Sequence, residues 1–275
     1  MPVKSPASML KPAPALKINE FIDELGEMSR TGKVDDFSIR RIERDVRVML
    51  DKKVGDPADW YMVLGIVAYL RGERQQAFDA IQNALRLGPN QMMILCNAAL
   101  VYGTMGEVRA SDLIVRKLIS LSLDDKVTMG ANVERAYGLL QFELALSLQE
   151  QYDKLAINDK TDGLSVRTSL EYIRPAYKEF AMPDSQLLDR LETAVNAVRN
   201  SGYEVRRTSS STLRDGSVML CLHVDADSDI CAELNFAIAD ALVENYEDTG
   251  VALISLITRR LSQFSLAVEL ADMKS

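Results

Sequence analysis

A single histidine, His223, and three cysteines are all the imidazole and thiol that this chain of 275 residues possesses. Clustered His and Cys chemistry is therefore confined to one place at most. The odd cysteine count, with Cys96 far from Cys221 and Cys231, excludes a disulfide framework as the organising device. Long apolar runs are also missing. The longest, Met92 to Tyr102, is broken by Asn97 and falls short of the roughly 20 residues of a membrane helix, so no membrane insertion is expected. Basic residues are outnumbered, 32 against 40 acidic, and at a net charge of −8 the global field does not attract nucleic acid, which is not an expected partner on that ground. Glycine-rich phosphate loops, nucleophile elbows and His-rich metal motifs are absent. No cofactor, no metal and no enzymatic activity is expected. Residues 1–16 carry Lys4, Lys11, Pro6, Pro12 and Pro14 but no continuous apolar core of signal-peptide length. They read as a flexible leader, and the cytoplasm is the expected compartment.

What is present is periodic. Tyr61, Leu64, Gly65, Ala68, Gly72, Ala77, Ile81, Ala84 and Pro89 combine small residues at a helix crossing with a turn glycine and a closing proline. A second copy carries Leu95, Ala98, Ala99, Tyr102, Gly106, Val115 and Leu118, with Gly106 placed 34 residues after Gly72. Upstream, Leu25-Gly26, Gly32 and an amphipathic helix from Asp36 to Lys52 suggest an atypical first helical pair. Val127 to Tyr152 reads as one long capping helix.

The two central copies resemble the tetratricopeptide repeat. The resemblance implies a short α-solenoid whose first helices line a protein-binding groove. Carried over position by position, the groove residues are Asp59, Met62, Ile66, Tyr69 and Leu70, then Met93, Cys96, Leu100, Gly103 and Thr104. This set is apolar, so it is unlike the Lys/Arg clamps that hold a partner's C-terminal carboxylate. It suits an amphipathic helix or an extended hydrophobic segment. Either a partner or the chain itself, through the leader or the helix after Val127, fills it. The short apolar stack is also similar to the small bacterial type III secretion chaperones, which hold hydrophobic segments of their clients but lack the remainder of this chain.

Beyond a polar loop, Lys154 to Gly163, two helices are expected, Leu164–Phe180 with a bend or break at Pro175, and Pro183–Asn200. The period then becomes strand-like. Tyr203–Leu213 and Ser217–Asp225 flank the hairpin signal Asp215-Gly216. A helix capped by Asp229 runs to Tyr246. Val251–Thr258 reads as a strand covered on both faces, and Phe264–Leu270 as a last strand. The expected architecture is an α-rich multidomain chain, a helical solenoid followed by a small α+β domain of about four strands. The boundaries are leader 1–16, repeat domain 17–152, connecting helices 153–201 and α+β domain 202–275.

Three further groups carry side chains suited to chemistry. Alternation places Cys221, His223 and Asp225 on one strand face, yet neighbours on one strand diverge and a zinc site needs more ligands. The acids Asp225, Asp227 and Asp229 open like a calcium loop but lack its glycine and its closing glutamate. Arg206 and Arg207 with Arg259 and Arg260 form a candidate phosphate or nucleic-acid contact if the sheet brings them side by side. The functional expectation is an adaptor or chaperone-like subunit gripping a hydrophobic segment of a protein partner, with the C-terminal sheet available for a homodimer. The competing expectation makes the C-terminal domain the working part, in nucleic-acid binding or as an enzyme, with the repeats serving assembly.

Overall fold

Caps and left-handed turn residues decide where each helix starts and stops. The computed structural model describes residues 13–121, 125–155, 164–180, 182–247 and 254–261. Within them, helices run as α1 (Ala13–Thr31), α2 (Asp36–Asp51), α3 (Pro57–Leu70), α4 (Arg74–Leu87), α5 (Met92–Thr104), α6 (Val108–Leu121), α7 (Lys126–Gly138), α8 (Phe142–Leu155), α9 (Arg167–Phe180) and α10 (Asp184–Asn200). The strands β1 (Val205–Thr212) and β2 (Val218–Val224) follow, then α11 (Ser228–Asn245) and β3 (Ile254–Arg260). The chain is thus α-rich with a small α+β portion at its end. Helix α1 begins at Ala13, inside the stretch read as leader. The expected strand Phe264–Leu270 and most of the loop Lys154–Gly163 lie outside the described residues.

Consecutive helices pair through one recurrent turn. After α3, Gly72 donates to the Tyr69 carbonyl and Glu73 to that of Ala68. After α5, Gly106 donates to Gly103 and Glu107 to Tyr102. After α7, Leu140 donates to Tyr137 and Gln141 to Ala136. The turn residue has positive φ each time, 75° at Gly72, 72° at Gly106 and 59° at Leu140, at intervals of 34 residues. The reading of Val127 to Tyr152 as one helix is therefore corrected. Residues 139–141 break it into a third hairpin, because a left-handed Leu140 turns the chain where the first two hairpins use glycine.

The contacts divide the chain into two compact units, with the boundary between Ile94 and Leu95, inside α5. In the first unit α3 is the central element, with α1, α2 and α4 all packed on it. Asp56 and Pro57 start it, and Trp60 is fully buried with its indole N–H donating to the Val54 carbonyl at 2.6 Å. Gly65 lets α4 come close: a Cβ there would stand 2.6 Å from Ile81 Cγ1.

In the second unit the hairpin α7–α8, the helices α9 and α10 and the sheet pack together, so α9 and α10 belong to a folded body. Helix α9 runs through Pro175 without splitting. Pro175 and Glu171 both lie on the exposed side, so the carbonyl that Pro175 leaves unbonded is on the solvent face. The sheet has order β1-β2-β3, with β1 antiparallel to β2 and β3 parallel to it across α11. Central β2 is buried on both faces, whereas β3 buries Ile254, Leu256 and Thr258 and exposes Ser255 and Arg259. Among the described residues the doubly covered strand is β2 and not β3, since consecutive side chains from Leu220 to Val224 are buried whereas burial alternates along β3. The cap of α11 is Asp227, whose carboxylate accepts from the Ile230 amide, with Asp229 in the first turn.

Candidate functional site

Helix α3 is apolar along nearly its whole circumference, and its neighbours decide which groove positions stay open. Met62 is fully enclosed and Ile66 nearly so. Both serve the core of the first unit, where α1 and α2 cover a helix that a free-standing repeat would leave open. Tyr69, Leu70 and Met93 remain half-buried. Asp59 is half-buried too, and burial, with Asp56 beside it, pushes its carboxyl above the usual range.

In the second unit, Cys96 is half-buried while Leu100 is 52% exposed, a large aliphatic side chain open to solvent on the first helix of a hairpin. The neighbouring groove positions turn inward. Gly103 faces α6, where a Cβ would approach Ser111 Oγ to 3.3 Å, and Ser111 Oγ itself donates to the Ala99 carbonyl at 3.0 Å. Thr104 donates its hydroxyl back to the Leu100 and Val101 carbonyls. Leu100 with Cys96 is thus the accessible part of the expected groove in this unit.

The turn carrying Gly106 is held by a residue that the sequence reading did not single out. Arg199, from the last turn of α10, donates to the Met105 and Gly106 carbonyls, both at 3.2 Å, and to Glu107 Oε1 at 2.9 Å. Asp184, the first residue of α10, likewise accepts from the Glu143 and Leu144 amides and caps α8 from outside. Nothing local in the sequence announces either contact, because donor and acceptor lie 40 or more residues apart.

Cys221 and His223 share the face of β2 that points away from α11, since α11 bonds Thr258 and Thr258 pairs with Leu222. Register sets Arg207 opposite His223 on β2, and His223 opposite Arg259 on β3. Directly opposed residues share a face, so the two guanidinium-bearing residues flank the imidazole in one row. Arg206 falls at the register shift of β1, and Arg260 alternates to the other face, where it influences Cys231 at the start of α11. The expected cluster is therefore only half assembled. His223 is buried and its Nε2 lies 2.8 Å from Ser209 Oγ, a partner across the hairpin. Asp225, beyond the end of β2, is exposed and does not join it. Cys221 is buried, and burial pushes the Cys231 thiol up, away from the thiolate a nucleophile needs. Among the described residues no group of three or more His, Cys, Asp or Glu side chains could hold a metal ion. No described helix is long and apolar enough to cross a membrane.

Compared with protein-family models, curated proteins and solved structures, the chain matches none of them.

Proposed function

We propose that the chain is a protein-interaction adaptor of tetratricopeptide type, chaperone-like in holding an apolar helix or strand of a partner protein. The observation that supports this most directly is the 34-residue recurrence of one turn, with the same hydrogen bonds at Gly72, Gly106 and Leu140. A hairpin of this kind presents its first helix as a ready contact surface, and repeated hairpins extend that surface without needing a catalytic centre. Leu100 and Cys96 are the contact residues of the second unit; Tyr69, Leu70 and Met93 are those of the first. Affinity capture from the native lysate with the wild-type chain and with Leu100→Glu tests the assignment. The expected result is one stoichiometric protein, absent from the Leu100→Glu eluate. An identical eluate from both would remove Leu100 from the contact.

A second reading has one observation in its favour, the row Arg207, His223 and Arg259 across one sheet face. Such a row suits the phosphates of a nucleic acid, whose binding would then weaken steeply with salt. Titration of a labelled oligonucleotide at low salt decides it: binding lost in the Arg207→Ala, Arg259→Ala double variant supports the row, and absence of binding removes it.

A further inference from the structure

Helix α11 is amphipathic in an unusual sense, since it is apolar on two faces. Cys231, Leu234, Ile238 and Leu242 are buried, on a helix that packs against α10 and β3. On the far side, Ala232, Phe236, Ala239 and Val243 follow one another at steps of four, three and four residues and form a second apolar row. All four are exposed, Phe236 at 73% and Val243 at 67%. Immediately beside that row on the helical surface runs a second one: Asp229, Glu233, Asp240 and Glu244. These four are exposed as well, and α11 contains no basic residue. None of the four acids has an ion-pair partner among the described residues.

Charge selects the occupant of this face. A second copy of the chain, docked antiparallel about a two-fold axis, would lay acidic row against acidic row and be repelled. The residues after β3 repeat the same sign, with Glu269 and Asp272 against the single Lys274. A helix carrying an apolar row with Lys or Arg beside it satisfies both rows at once. We infer that the outer face of α11 is a docking surface for a basic amphipathic helix of a partner protein. Phe236 is its central anchor, and the acidic row sets register and orientation. This surface lies on a different element from Leu100 and stands apart from the adaptor reading.

The test uses the full chain and three labelled peptides about five helical turns long: a Leu/Lys amphipathic helix, its Leu/Glu counterpart, and the Leu/Lys composition in scrambled order. Fluorescence anisotropy should show saturable binding of the first alone. Phe236→Ser and Val243→Ser should each weaken it about tenfold or more. Both side chains are exposed, so an unchanged circular dichroism spectrum should accompany the loss. Asn or Gln at Asp229, Glu233, Asp240 and Glu244 together should weaken binding and flatten its salt dependence, while Leu100→Glu should leave it unchanged. The inference is overturned if the scrambled peptide binds equally, if Phe236→Ser has no effect, or if Leu100→Glu abolishes binding. It is also overturned if sedimentation shows a dimer that Phe236→Ser dissociates, for then a second copy is the occupant.

Discussion

Leu140 occupies a left-handed backbone conformation, with φ 59°, that costs a leucine about 1–2 kcal/mol relative to glycine. It persists because its side chain is fully buried, and burial of an aliphatic chain of this size outweighs the strain. Leu140→Gly is therefore expected to lower stability by about 1–3 kcal/mol even though it relaxes the turn. A urea midpoint that rises in the variant would show that strain dominates. The same residue explains what the sequence hid. Gly72 and Gly106 announced their turns by residue type, whereas a leucine at the third turn looks like one more apolar residue in a helix. The signal was available in the register alone: Leu140 stands 34 residues after Gly106, with Ala136 and Ala145 where the first hairpin has Ala68 and Ala77.

Burial separates Met62 from Leu100, two residues that the repeat pattern treats alike. Met62→Glu would place a carboxylate in a fully enclosed site and should unfold the first unit, whereas Leu100→Glu, at an exposed site, should leave the fold intact. Thermal melts of the two variants check this, and equal melting temperatures would contradict the assigned environments. The pattern could not separate them because Met62 is enclosed in a unit where α1 and α2 lie against α3, a tertiary fact outside the 34-residue period.

At the scale of elements, stability is carried by contacts that tie one helix end to another. Arg41 donates to both carboxylate oxygens of Glu24, at 2.7 and 2.6 Å, joining α2 to α1. These bonds, followed by an opposing effect of burial, hold the Glu24 carboxyl below its usual range. A depressed carboxyl contributes stability that is complete above its unfolded pKa of about 4.3 and lost as pH falls through the folded value. Glu24→Gln should thus be less stable than wild type near neutrality, by less than about 1 kcal/mol because the pair is one-third exposed. The gap should shrink as pH falls below the unfolded value and close once the folded carboxyl is protonated as well. A gap that persists in acid would mean that the charge is not what Glu24 contributes. Asp184 ties α10 to the start of α8 by accepting from the Glu143 and Leu144 amides, and Asp184→Ala should cost about 1–2 kcal/mol in urea unfolding. No change would show that the cap adds nothing. Elements themselves were largely legible, since periodicity and the Asp215-Gly216 turn located nearly every helix and the hairpin. Their partners were not: that β3 runs parallel to β2 follows from the crossover through α11, and that only one of its faces is fully buried follows from what packs there, neither from the composition of the strand.

At the scale of the molecule, the second unit joins repeat hairpin, connecting helices and sheet through single residues such as Arg199, whose guanidinium bonds the turn at Gly106. Arg199→Ala should cost about 2–3 kcal/mol by stranding those acceptors. Within this unit, cysteine placement supplies a built-in reporter of partner contact. Cys96 is half-buried on α5 four residues before Leu100, while Cys221 and Cys231 are buried. The most direct measurement is therefore the alkylation rate of Cys96 in the free chain and in the complex recovered by capture, with Cys221 and Cys231 as slow internal references. The expected result is strong protection of Cys96 by the partner, absent in Leu100→Glu. Equal alkylation of Cys96 with and without the bound partner would contradict the claim that the hairpin surface around Leu100 is where this protein grips another.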